Sequence, residues 1–198
     1  MSSTPPKYGG KSIKIPKQLY SDMTGKPLSH CLVCENFLLE DGILYIIEKA
    51  YKRYPNRELT ETIFEYAMCW DCFDLMTKSF SDISMQRIGE YFDKHVDMYE
   101  RSAKMLQEHG TDFDAWTSSC VIKGKPKAEL VEYQVSCACD GENLLFSIFP
   151  YMIGNEAMDE LLDLLSEQTL GEIDNFTGRY LSLPPDFNLA DKPRVLFI

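Results

Sequence analysis

The stretch that decides the reading opens with Cys31-Leu32-Val33-Cys34 and closes, 34 residues later, with Cys69-Trp70-Asp71-Cys72. A Cys-x-x-Cys turn presents two thiolates to one ion without straining the backbone. Two such pairs supply the four sulfurs of a tetrahedral shell. One zinc ion per chain, held by Cys31, Cys34, Cys69 and Cys72, is the expectation. An iron–sulfur cluster would take the same thiolates, though nothing else in the chain suggests electron transfer. The bland alternative is four buried thiols or a redox pair. His30, beside Cys31, could replace a ligand or support one from outside. A shell closed by four protein sulfurs keeps no position for water or substrate, so the expected ion is structural rather than catalytic.

The interval between the pairs carries strand signals. Residues 43–54 include Tyr45, Ile47, Ala50, Tyr51 and Tyr54 among Glu48, Lys49, Lys52 and Arg53. Pro55-Asn56-Arg57 makes a turn, and Thr62, Ile63, Phe64, Tyr66 and Met68 follow as a β-branched and aromatic run. Two such runs around a Pro-Asn turn predict a hairpin. A helix over residues 43–54 is the rival, since Ile43, Ile46, Ile47 and Ala50 also fit a 3.6 period. Knuckle, hairpin, then a second knuckle opening a helix resembles the treble-clef class of zinc finger over about residues 28–80. That resemblance implies a fold and a metal, and no particular activity.

After Cys72 the period turns helical. Phe73, Leu75, Met76 and Phe80 make a short first helix. Met85, Ile88, Phe92, Val96, Tyr99, Ala103 and Leu106 then form one apolar stripe, read as a single long amphipathic helix from a Ser81 or Ser84 cap to Gly110. Residues 111–127, with Gly124, Pro126 and three nearby lysines, read as a connection. Val131, Tyr133, Val135, Cys137 and Cys139 alternate with polar residues, and Asp140-Gly141 turns the chain back through Leu144 to Ile148. Asn155 is expected to cap a helix carrying Leu161, Leu162, Leu164 and Leu165, and Val195 to Ile198 to form a last strand. No internal repeat is detectable, although modules this short can hide one.

The expected fold class is therefore α+β: a treble-clef-like module and long helix over residues 28–110, a connection over 111–127, and a small hairpin-plus-helix module over 128–198. Residues 1–27, broken by Pro5, Pro6, Gly9, Gly10 and Pro16, read as a basic flexible tail.

The 198-residue chain is 44% hydrophobic, enough for a true core, and has a net charge of −11. Five lysines against Asp22 give residues 1–27 a balance of +4, which leaves −15 on the rest. An acidic body repels phosphate backbones, which disfavours nucleic-acid binding and suits a protein partner with a basic surface; plain solubility is the simpler use of that charge. A nucleic-acid-binding regulator using the lysine tail and zinc module is the runner-up. No apolar run reaches membrane-span length and no secretory leader is evident, so a cytoplasmic protein is expected. Phosphate loops, dinucleotide fingerprints, Gly-x-Ser-x-Gly and His-Glu-x-x-His are missing. Catalysis would have to use Cys120, Cys137 or Cys139, with His95 or His109 as a base, or a second metal site built from these cysteines and His109. The plainer role of those three cysteines is as small core residues, and His95 reads as a packed histidine. The leading functional reading is a non-catalytic, zinc-stapled interaction module.

Overall fold

The computed structural model describes residues 11–181. Its first described element is the strand β1 (Lys11–Lys14). Two long strands follow, β2 (Leu44–Tyr54) and β3 (Leu59–Cys69). Four helices come next: α1 (Trp70–Thr77), α2 (Asp82–His95), α3 (Met98–Glu108) and α4 (Phe113–Trp116). The chain then returns to strands β4 (Glu132–Asp140), β5 (Asn143–Phe146) and β6 (Tyr151–Gly154). Helices α5 (Asn155–Asp163) and α6 (Glu167–Tyr180) finish the described chain. The molecule is thus a mixed α and β structure with one antiparallel sheet. The last strand expected at Val195 to Ile198 lies outside the described residues.

The sheet runs β1-β5-β4-β2-β3, and β6 joins β4 beyond the end of β5. β2 is an interior strand: it pairs with β3 from Tyr45↔Cys69 to Tyr54↔Leu59 and with β4 from Leu44↔Asp140 to Lys52↔Glu132. Hydrogen bonding on both edges settles the strand-versus-helix ambiguity of residues 43–54. Tertiary pairing outweighs a helical period that the sequence satisfied equally well. One sheet and one contiguous core therefore draw on both the 28–110 and the 128–198 segments.

Paired residues share a face. Tyr45, Ile47, Lys49, Val135, Cys137 and Cys139 form one face; Ile46, Glu48, Ala50, Tyr66, Gln134 and Ser136 form the other. On the first face, Lys49 is fully buried, and its Nζ meets Tyr20 C=O (2.8 Å), Asp22 (3.0 Å) and Glu65 (2.9 Å). Trp116 packs edge-on against Phe146 on the same side. On the second face, Phe176 of α6 meets the Tyr66 ring edge-on at 5.7 Å between centroids.

Three expectations are corrected. The leader is no flexible tail from residue 11 onward. β1 pairs with β5, Ile15 is buried and Leu19 is fully buried, because these apolar residues cover sheet surface that the body leaves open. The single long helix is two. Val96 is extended (φ −154°, ψ 129°), and the Asp97 carboxylate accepts from the Tyr99 and Glu100 amides, starting α3 afresh. The apolar stripe bridged this break because both helices keep the same spacing. The C-terminal part is also richer than one hairpin and one helix. β6 and α6 were not foreseen, and Gly154 rather than Asn155 occupies the cap of α5. The hairpin at Gly141 is present, with Asp140 paired to Asn143.

Candidate metal centre

The first Cys-x-x-Cys pair sits on a tight turn closed by its own backbone. Glu35 N–H donates to Cys31 C=O and Cys31 N–H to Asn36 C=O, both at 2.9 Å, while Glu35 adopts φ +60°. Leu32 N–H donates to Ala67 C=O (2.8 Å), docking the turn on the end of β3. Cys69 ends β3 and caps α1, and Cys72 lies in the first turn of that helix. The hairpin thus carries the second pair back to the first.

The sulfurs of Cys31, Cys34, Cys69 and Cys72 all lie within 4.8 Å of one another. Cys34 Sγ and Cys69 Sγ are 3.7 Å apart, far beyond a disulfide bond of about 2.05 Å. A zinc–sulfur distance of about 2.3 Å places tetrahedral sulfurs about 3.8 Å apart, so the donors and their spacing fit that ion. Cys31 is buried, Cys34 exposed and Cys72 intermediate, so one side of the cluster opens to solvent.

The four thiols differ in how readily they ionise. Burial opposes ionisation of Cys31, yet the backbone amides of Cys34, Cys69 and Val33 outweigh it and draw its thiol down to about 7. Cys69 N–H donates to that sulfur at 3.4 Å. Burial raises Cys69 to about 11, with the charge on Cys31 adding to it, and burial likewise raises Cys72. Four neighbouring thiols cannot all ionise without a cation among them.

The other candidates are dispersed. Cys137 and Cys139 are buried on the sheet, and burial pushes both thiols up, away from nucleophilic ionisation. Cys120 is buried and accepts from Lys123 N–H (3.4 Å) and Gly154 N–H (3.3 Å). His109 lines the same cleft as Cys120 but interacts with Glu108 at 3.9 Å. His95 Nδ1 lies 2.7 Å from Tyr91 C=O. His30 Nδ1 meets Ser29 Oγ at 3.0 Å, and its ring lies edge-on to Phe37.

Sequence reasoning missed Glu48 and Lys49, adjacent ionisable residues that the sheet buries almost completely. Their only sequence signal was two charges flanked by the apolar runs Leu44–Ile47 and Ala50–Tyr51. Among the described residues no helix is long and apolar enough to cross a membrane. No family model matches the chain, and no curated protein or solved structure shows a significant match.

Proposed function

We propose that this chain is a zinc-stapled, non-catalytic protein-interaction module. Cys31, Cys34, Cys69 and Cys72 would hold one structural zinc in a treble-clef-like arrangement of turn, hairpin and helix. The observation that carries this reading is the gathering of four sulfurs within 4.8 Å from two distant turns. Zinc would cross-link the 31–34 turn to the start of α1, adding to the backbone hydrogen bonds and to the packing of Cys31, Leu32 and Val33 against the core. Binding energies of about 10–16 kcal/mol in small zinc sites are comparable with the whole stability of a domain. Reduced thiolate ligands suit the cytoplasm.

The partner side of the reading rests on charge. The body beyond residue 27 carries −15, and a cleft beside the centre is lined by Phe37, Ile43 and Trp70 together with Glu40 and Asp71. Such a surface attracts and could seat a basic protein segment. Elemental analysis of protein purified without added metal tests the first half: one zinc per chain is expected, and no zinc, or undiminished zinc in Cys69→Ser, would overturn it. Capture from native extract tests the second. A captured protein should be released by a Glu40→Gln, Asp71→Asn variant, and equal retention would refute the acidic cleft as its seat.

A further inference from the structure

A repeat hidden in the sequence is visible in the hydrogen bonds. Residues 118–127 trace the same turn as residues 29–38. In the second turn, Gly124 N–H donates to Cys120 C=O (2.7 Å), Cys120 N–H to Lys125 C=O (2.9 Å) and Lys127 N–H to Ser118 C=O (2.8 Å). These match Glu35 to Cys31, Cys31 to Asn36 and Leu38 to Ser29, each at 2.9 Å. Gly124 holds φ +66° where Glu35 holds +60°. Val121 N–H reaches Met152 C=O of β6, as Leu32 N–H reaches Ala67 C=O of β3, both at 2.8 Å. Gly154 N–H donates to Cys120 Sγ (3.3 Å), as Cys69 N–H donates to Cys31 Sγ (3.4 Å).

The correspondence continues past the turns. β6 runs directly into α5 as β3 runs into α1, with Gly154 and Cys69 as the caps. Helices α2 and α6, each of 14 residues, are capped by Ser81 and Ser166. These caps meet: the two Oγ atoms are 2.7 Å apart, Ser81 N–H donates to Thr169 Oγ1 (3.0 Å), and Ser166 N–H donates to Ser84 Oγ (2.9 Å). Phe64 stacks on Tyr66 at 20° and Phe149 on Tyr151 at 21°. Where β2 and β4 pair, Glu48 faces Ser136, and each is the other's counterpart. A local two-fold axis therefore passes through that pair.

Under this symmetry Cys31, Cys34, Cys69 and Cys72 correspond to Cys120, Lys123, Gly154 and Ala157. We infer that the chain is a duplicated metal-binding unit whose second copy keeps the scaffold of a four-cysteine site and one of its ligands. The second copy is closed by other means. Lys123 and Lys125 pair with Glu160 (2.6 Å) and Glu156 (2.7 Å) of α5, and Leu130 fills the space a side chain on Gly154 would need, its Cδ2 only 2.7 Å from a Cβ built there. Partly exposed ion pairs are weak, so buried Ile122, Leu130 and Ala157 supply most of the closure.

Restoring the ligands tests this, and the test rests on the zinc reading of the first copy. A Lys123→Cys, Gly154→Cys, Ala157→Cys variant, with Leu130→Ala to make room, should hold two zinc ions per chain instead of one. Its cobalt(II) form should show about twice the thiolate–cobalt absorbance of the wild type. A second variant, Lys123→Cys with Ala157→Cys, leaves Gly154 and Leu130 untouched and offers three thiols; it should take up a second cobalt(II) with an unchanged circular dichroism spectrum. Wild type with one ion and both variants also with one overturns the duplicated site, as does loss of fold in the second variant. Wild type with no ion instead sinks the zinc reading itself.

Discussion

Glu48 offers the sharpest test of the packing, because its carboxyl is buried at the middle of the sheet. Its Oε2 accepts from Gln134 Nε2 (2.6 Å) and Ser136 Oγ (2.9 Å). Burial pushes the carboxyl from its ordinary 4.5 up to about 8, against those two hydrogen bonds, which favour the charged form. The folded state therefore keeps a proton that the unfolded chain releases above about 4.5. The associated stability is complete below pH 4.5, falls as pH rises toward 8, and is gone above it. From 4.5 to about 8 the full effect is about 5 kcal/mol, of which about 3 kcal/mol falls between pH 6 and pH 9. In Glu48→Gln the amide oxygen replaces Oε2 and the NH₂ replaces the protonated oxygen, so the variant mimics the neutral acid at every pH. Urea unfolding at pH 6, 7, 8 and 9 should show wild type losing about 3 kcal/mol relative to Glu48→Gln across that range, the difference shrinking as pH falls toward 4.5. Parallel pH profiles for the two proteins would refute the claim that Glu48 is protonated in the fold.

Leu19→Ala should lower stability by about 3 kcal/mol, within the usual range for a fully buried leucine; a denaturant midpoint unchanged from wild type would mean the leader is merely laid on the sheet. Chelation at neutral pH should lower the melting temperature and release the 31–34 turn, seen as faster amide exchange at Leu32, while Val121 in the second copy keeps its protection. At about 0.15 M salt, binding to duplex DNA or RNA should be negligible: about four lysine–phosphate contacts give a salt slope near −3.6, and the acidic body repels the rest. Sub-micromolar affinity in a gel shift at that salt would count against it.

Much of the local structure was legible because it depends on neighbours in the chain. The Cys-x-x-Cys pairs, the turn at Pro55, a serine cap at Ser81 or Ser84 (the structure uses Ser81) and the Asp140-Gly141 hairpin each rest on a few adjacent residues. The break at Asp97 was equally local, an aspartate able to cap a new helix, but the uninterrupted apolar spacing concealed it. Burial of Glu48 and Lys49 was not legible, since their partners are Gln134 and Ser136, or Tyr20, Asp22 and Glu65, all distant in sequence.

The sequence by itself determined the four-sulfur centre and the amphipathic faces of the helices, because spacing and period encode these directly; residues 43–54 fitted strand or helix, and only pairing with β3 and β4 made them half of a hairpin. Only the tertiary structure decided that β2 and β4 lie side by side, that residues 11–20 belong to the body, and that the chain is built twice. The duplication is mute in sequence for a physical reason. Its two copies agree where backbone geometry demands it: a left-handed residue after the turn, a hydroxyl at the helix cap, an aromatic on the sheet. They differ wherever any side chain of suitable size suffices. The register between them also drifts, from Cys31 and Cys120 through Tyr45 and Tyr133 to Ser81 and Ser166, as the loops between strands change length. No single offset aligns the copies, whereas the hydrogen bonds of their turns, their helix caps and the strand ends at Cys69 and Gly154, which report position in space, do align.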